Sequence, residues 1–399
     1  MTDIESRLEE LRASGLYRRL RLIEGAQGPR VQLDGESVLL LCSNNYLGLA
    51  DHPRVREAAA EAALGWGAGA GGSRLISGNM APHRRLEERL AAFKGYEGAL
   101  LFGSGYLANL GAISALAGRD TVVFSDELNH ASIVDGCRLA RAETFVYRHG
   151  DVEHLAWGLA EAGRRASLIV TDGVFSMDGD VAPLEDLVRL ARGHGCRLMV
   201  DEAHATGAMG PGGRGSVAAA GLSKEVDLVV GTLGKALGSY GAYVCASSEL
   251  SEYLLNTARS FIFSTALPPP VLAAALAALE LLEAEPERVR HLNANAATLR
   301  EGLVAEGLDA GGGESQIVPL EVGDAGRTME LCERLLERGV FAQGIRPPTV
   351  PPGSSRLRFS VMATHEAADL REAARLTGEA ARELGIAAPR AAGSLPVAA

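Results

Sequence analysis

The feature that most constrains this chain is a rhythm in its middle. Between Ala99 and Cys245, short unbroken apolar runs alternate with helix-length stretches. The runs are 99–102, 121–124, 144–147, 168–171, 198–200, 228–230 and 242–245. A short run without polar alternation is a strand buried on both faces, and strands separated by helices pair in parallel. Right-handed crossovers then put helices on both faces of the sheet. The expected fold is α/β, a mostly parallel central sheet flanked by helices. After about Pro286 the order changes to helix 291–306, strand 317–322, helix 328–337, strands 340–343 and 357–361, and helix 366–384. Strands and helices segregate there, which predicts a smaller α+β domain.

The 399 residues accommodate two or three domains. The expected division is an N-terminal helix and arm at 1–45, a large domain at 46–285, a small C-terminal domain at 286–385 and a flexible tail at 386–399. In the arm, Ile4, Leu8 and Leu11 share one helical face, Arg18, Arg19 and Arg21 form a basic turn, and 38–41 reads as a strand. Thirty-nine Lys and Arg against 50 Asp and Glu give a net charge of −11. That balance argues against nucleic acid or an anionic membrane surface as partner. The longest apolar stretch, near 271–279, is broken by Glu280 well short of the ~20 residues a membrane span needs. The first residues carry acids where a secretory signal carries bases, so a cytoplasmic location is expected. The cysteines at 42, 137, 196, 245 and 332 form no CxxC pair and read as buried thiols, so neither disulfide nor metal site is expected.

In an open parallel sheet, ligands bind beyond the carboxyl ends of the strands. Polar residues follow five of the predicted strands: Gly103, Ser104, Gly105 and Tyr106; Ser125, Asp126, Asn129 and His130; Asp172 and Ser176; Asp201 and His204; and Thr232, Gly234 and Lys235. Gly103-Ser104-Gly105 before a helix reads equally as a tight turn with an N-cap or as an anion seat at a helix N-terminus. Asp201 ends an apolar strand, and a carboxylate there needs a cationic partner, either an arginine or a protonated ligand nitrogen. His130 reads as a helix cap or as a flat ring stacked on a ligand. Only three of the basic residues are lysines. Lys94 and Lys224 read as solvated, whereas Lys235 lies among small residues past a buried strand, where an amine is readily desolvated and made nucleophilic. A phosphate seat, a buried acid, a neighbouring histidine and an isolated lysine together describe pyridoxal 5′-phosphate as cofactor. Asp201-Glu202-Ala203-His204 also spells a helicase-type ATPase box, but Ala236 follows the only Gly-Lys pair where a phosphate loop needs Ser or Thr. Gly67–Gly72 matches a dinucleotide loop in letters only, since no strand precedes it.

At these residues the chain resembles the α-oxoamine synthases, fold-type I pyridoxal-phosphate-dependent transferases, over about residues 15 to 385. The segments that carry the likeness are 43–49 (SNNYLGL), 72–78 (GSRLISG), 129–132 (NHAS), 174–180 (VFSMDGD), 201–207 (DEAHATG) and 232–235 (TLGK). Asn45 stands where the family often has Asp. The resemblance implies that Lys235 carries the cofactor, Asp201 pairs with its pyridinium nitrogen, and His204 and Ser176 bond near its phenolic oxygen. It further implies that Gly105, Tyr106 and Thr232 hold the phosphate, that His130 stacks on the ring, and that Lys235, His130, Asp201 and His204 form the catalytic set. Asn44 and Arg358 would take the amino-acid carboxylate, and Arg18 and Thr349 would contact the acyl substrate. Segments 263–269 (FSTALPP) and 345–351 (IRPPTVP) point to the branch that condenses L-alanine with a pimeloyl thioester, on CoA or a carrier protein, with loss of CO2 in biotin biosynthesis. A glycine- and acetyl-CoA-using relative is the alternative. The family is homodimeric.

Overall fold

The structure, a computed structural model, describes residues 3–163 and 165–386. The described chain divides into two compact units, residues 44–292 and the two ends together, 3–43 with 293–386. The N-terminal arm is therefore part of the smaller unit and not a separate piece. All but the first residue of the tail expected at 386–399 lies outside the described residues.

The larger unit is built on a seven-stranded sheet. Its spatial order is Gly98–Phe102, Ala242–Ala246, Leu228–Thr232, Arg197–Asp201, Ser167–Asp172, Val122–Asp126 and Glu143–Tyr147. Ala242–Ala246 runs antiparallel to both neighbours, and the remaining pairings are parallel. Each of the seven apolar runs forms one of these strands. Their burial explains why they read as unbroken. Val122–Asp126 and Ala242–Ala246 are buried at every residue, whereas the edge strand Glu143–Tyr147 is mostly exposed. Phe102, Ile113, Ile133, Val170, Val230 and Val244 belong to one core cluster between sheet and helices. Each such side chain contributes about 1.5–3 kcal/mol on burial.

The smaller unit holds two short sheets. One has the order Ile23–Glu24, Arg30–Leu33, Glu36–Leu40, Val340–Phe341; the other, antiparallel, is Ile317–Gly323, Ser355–Ser360, Gln343–Ile345. The single strand expected at 340–343 is two strands that serve different sheets. Val340 and Phe341 pair in parallel with Leu39 and Leu40, and Gln343–Ile345 pair antiparallel with 356–358. The chain switches sheets at Ala342, a step that an apolar run does not reveal. Helix Ile4–Ala13 forms with Asp3 as its cap, but Ile4, Leu8 and Leu11 remain exposed. Among the described residues no helix is long and apolar enough to cross a membrane.

Candidate active site

Parallel strands bring their carboxyl ends to one edge of the sheet, and there the large unit collects its polar side chains. Asp172 and Asp201 end neighbouring strands in register with each other. Both are buried. The Asp201 carboxylate accepts from the Asn109 amide at 2.6 Å and from the Ala203 backbone N–H at 2.8 Å. Asp172 accepts the His130 backbone N–H at 2.7 Å. Burial, and next the negative charge of Asp201, raise the pKa of Asp172 well above the carboxylate range. His130 caps helix Ala131–Ala140 with its ring nitrogen, and Nδ1 lies 2.7 Å from the Ser132 hydroxyl. Its side chain is exposed, yet the protein around it withholds enough water to lower its pKa; Lys235 adds to the lowering and Asp201 opposes it. The ring is thus flat and neutral near pH 7.

The second group centres on His204, itself buried. His204 Nε2 lies 2.8 Å from Lys235 Nζ, and Nδ1 lies 2.6 Å from the Tyr46 hydroxyl. Tyr46 is fully buried and donates to Asn44 Oδ1 at 3.0 Å. With its proton committed to Asn44, the Tyr46 oxygen accepts from Nδ1–H, which leaves the Nε2 lone pair facing the lysine amine. Gly207 makes this arrangement possible. It has φ +81°, and an added Cβ would stand 2.4 Å from the Cβ of Ala236, so only glycine lets the 201–207 turn lie against the Lys235 loop.

Gly105 and Tyr106 open helix Gly105–Leu116, whose cap Ser104 accepts the Leu107 N–H at 3.3 Å. Both readings of Gly103-Ser104-Gly105 meet here: the cap exists, and the first helical N–H groups have no intrahelical acceptor. A Cβ at Gly105 would meet nothing within 4 Å, so the helix end faces open space. The Thr232 hydroxyl shapes the lysine loop, donating to the Gly241 carbonyl and accepting the Gly234 N–H, both at 3.1 Å. Ser176 lies in the loop closed by the Val174–Val181 bridge. His149 anchors that loop. Its Nδ1 is 2.9 Å from Asp126 and its Nε2 is 2.7 Å from Asp180, and these bonds push its pKa up to about 10.

Lys94 overturns its expected solvation. It is buried, paired with the fully buried Glu202, and also donates to Thr206 Oγ1 and the Arg214 carbonyl. As the last residue of helix Ala81–Lys94 it looked like a surface residue, because nothing local announces a buried acid 108 positions later. Asn109, Tyr46 and Glu202 were given no role in the sequence reading. Asn109 could have been found as the one amide in an apolar helix that starts at the anion seat. Arg18, Thr349 and Arg358 belong to the smaller unit. Arg18 and Thr349 are exposed, and Arg358 is buried, with its guanidinium donating to Ser360 Oγ at 2.7 Å. Among the described residues, no group of three or more His, Cys, Asp or Glu could hold a metal.

The donor set fits pyridoxal 5′-phosphate. It offers an amine for the aldehyde, a carboxylate for the pyridine nitrogen, a neutral flat ring, and a helix N-terminus opening on free space for the phosphate. Comparison with known proteins agrees. Residues 36–376 match the family model "Aminotransferase class I and II". An 8-amino-7-oxononanoate synthase from Citrifermentans bemidjiense is 57% identical over 391 residues, covering 97% of this chain and all of that one. Among solved structures, serine palmitoyltransferase from S. paucimobilis superposes with a TM-score of 0.92 at 35% identity, covering 96% of this chain and 98% of that one. An 8-amino-7-oxononanoate synthase from Francisella tularensis gives 0.76 at 29% identity, covering 88% and 99%. The chain belongs to the aminotransferase class I and II family, within its α-oxoamine synthase group.

Proposed function

We propose that this chain is a pyridoxal-5′-phosphate-dependent 8-amino-7-oxononanoate synthase. It joins L-alanine to pimeloyl-CoA, or to a pimeloyl carrier protein, and releases CO2 and the thiol carrier. The observation that carries the reading is the 57% identity maintained over the whole length of a relative of that name. The site supports it with a lysine, a buried acid and a neutral histidine at adjoining strand ends.

When bound, the cofactor supplies an electrophilic aldehyde and a sink for the electrons left at the amino-acid Cα. Lys235 holds the aldehyde and, as a free amine, takes the proton from alanine Cα. His204 Nε2, 2.8 Å away, accepts from that amine and keeps it aimed. The Asp201 carboxylate, itself fixed by Asn109 and Ala203, holds the proton on the pyridine nitrogen. With the cofactor bound, His130 would cover the ring face, His204 and Ser176 would bond near its phenolic oxygen, and the Gly105 and Tyr106 amides with Thr232 would hold the phosphate. Asn44 and Arg358 bind the alanine carboxylate, and Arg18 and Thr349 meet the acyl thioester. The working form is a cytoplasmic homodimer.

The test crosses alanine, glycine and serine with acetyl-, succinyl- and pimeloyl-CoA and follows thiol release. Alanine with the pimeloyl thioester is expected to exceed every other pair. Faster turnover of glycine with acetyl-CoA overturns the reading. Serine with a long-chain acyl-CoA is the second reading, favoured by the TM-score of 0.92 to serine palmitoyltransferase, and palmitoyl-CoA added to the panel separates it.

A further inference from the structure

The turn that carries both Asp201 and His204 is fastened from behind by a buried ion pair. Glu202 follows Asp201 directly, and its side chain is fully buried. One carboxylate oxygen accepts from the Ser216 hydroxyl at 2.9 Å and from the Val217 N–H at 2.7 Å; the other meets Lys94 Nζ. Lys94 Nζ also donates to Thr206 Oγ1 at 3.2 Å and to the Arg214 carbonyl, and Thr206 Oγ1 lies 3.0 Å from the Tyr243 hydroxyl. The Glu202 backbone is held as well. Its N–H donates to Val230 on the next strand at 2.7 Å, and its carbonyl accepts the Ala205 and Thr206 N–H groups at 3.0 and 2.9 Å. The cage is closed, since a Cβ on Gly215 would stand 2.4 Å from the Glu202 carboxylate.

A buried ion pair is a poor device for stability, because desolvating both charges offsets their attraction, and apolar residues of the same shape often fold as well. It can fix one geometry, because the ion pair and the hydrogen bonds around it are all satisfied together in one arrangement. Here the arrangement spans the last residue of one helix and both ends of the 202–206 turn. The two side chains that face the cofactor flank Glu202, one residue before it and two after.

We propose that the Lys94–Glu202 pair is a positioning device for the cofactor site. It sets the angle at which Asp201 and His204 present themselves, and it touches neither substrate nor cofactor. The inference rests on the reading of Asp201 and His204 as cofactor ligands, but not on which substrates are used.

The experiment compares wild-type protein with the double variant Lys94→Met/Glu202→Gln, which keeps the side-chain volumes and removes both charges. Three quantities are read with no substrate present: the melting temperature of the apo-protein, the dissociation constant for pyridoxal 5′-phosphate, and the circular dichroism of the bound cofactor's visible band. The expected result is a melting temperature close to wild type, a dissociation constant raised at least ten-fold, and a dichroic band per bound cofactor reduced to half or less. A dissociation constant and a band that both match wild type overturn the proposal and leave the pair a support of the fold. If the double variant yields no folded protein, Thr206→Val, which deletes one bond to Lys94, is judged by the same two cofactor readouts with the same sign. Wild-type protein that binds no pyridoxal 5′-phosphate would instead defeat the cofactor reading itself.

Discussion

The cofactor residues of the large unit and the substrate residues assigned to the small unit are built in different ways. Asp201, His204, Asp172 and Asn109 are all buried, and each is bonded to a residue far away in the sequence. Arg18 and Thr349 are exposed and lie outside regular elements, and of the three only Arg358 is buried on a strand. The contrast follows the chemistry. Holding charge at fixed atoms requires groups ordered before the reaction begins, and burial within a rigid sheet supplies that order. Meeting a long flexible acyl chain requires no such investment until the substrate arrives. Variants in the large unit should therefore act on the rate constant, and variants in the small unit on substrate affinity.

The strongest way to break this contrast is Lys235→Ala. It removes the amine that holds the cofactor and moves the Cα proton, so thiol release should fall by ~10⁴-fold or more. Melting temperature should change little, because Lys235 is a polar partner of His204 and not a core residue. A variant within ten-fold of wild-type turnover would remove Lys235 from the chemistry. Asp201→Asn is the next largest. It keeps the shape but loses the anion opposite the pyridine nitrogen, so kcat should drop ~10²–10³-fold at saturating alanine and thioester, in the range of losing one electrostatic contact. If KM rises and kcat holds, Asp201 serves binding instead, and the two units cease to differ.

The seven strands and the strand-end residues were legible because buried parallel strands write themselves as apolar runs and a ligand edge as the polar residues after them. What escaped was whatever depends on a distant partner. Lys94 reads as a surface lysine at a helix end until Glu202 is placed beside it, and Asn109 reads as an oddity until Asp201 is. The strand expected at 340–343 hid a switch between two sheets, because apolar pattern carries no sheet address. The roles of Thr349 and Arg358 came from family likeness alone, whereas Arg18 also stood out as one of the basic cluster Arg18, Arg19 and Arg21 in an acidic chain.

A smaller effect sharpens the picture of the large unit through pH. His149 is bridged by Asp126 and Asp180, and its pKa is raised to about 10 in the folded chain. A raised folded pKa gives stability that is fully present below the unfolded value near 6.5 and is lost as pH rises toward 10. His149→Ala should therefore lower the melting temperature most at pH 6, by about 3–6 °C, the scale of one or two charge-assisted bonds in a protein of this size. The deficit should shrink steadily by pH 10. A deficit independent of pH would mean that the ring acts only by packing on Phe175, whose ring lies 4.4 Å away.

The smallest effect tests the other side of the contrast. Of the three arginines in the basic turn, Arg21 is paired with Glu333, and the Arg19 guanidinium lies 5.9 Å from the centre of the Tyr17 ring. Among the described residues Arg18 has no ion-pair partner, so its charge is available to a ligand carboxylate or phosphate. An exposed ion pair within the protein contributes about 0.2–1 kcal/mol, whereas a charge-assisted bond to a bound anion contributes about 1.5–3 kcal/mol. The two magnitudes separate cleanly in kinetics. If Arg18 meets the thioester, Arg18→Ala should raise the thioester KM by ~10-fold or more, leave the alanine KM within two-fold, and leave kcat nearly unchanged, since uniform binding is lost and no transition-state contact is. The increase should narrow at high ionic strength, where wild type also loses the attraction. Unchanged thioester kinetics would take Arg18 out of the site. A fall in kcat at unchanged KM would do more. It would show that residues on exposed chain in the small unit also act on the reacting atoms, so that burial does not divide the two kinds of work.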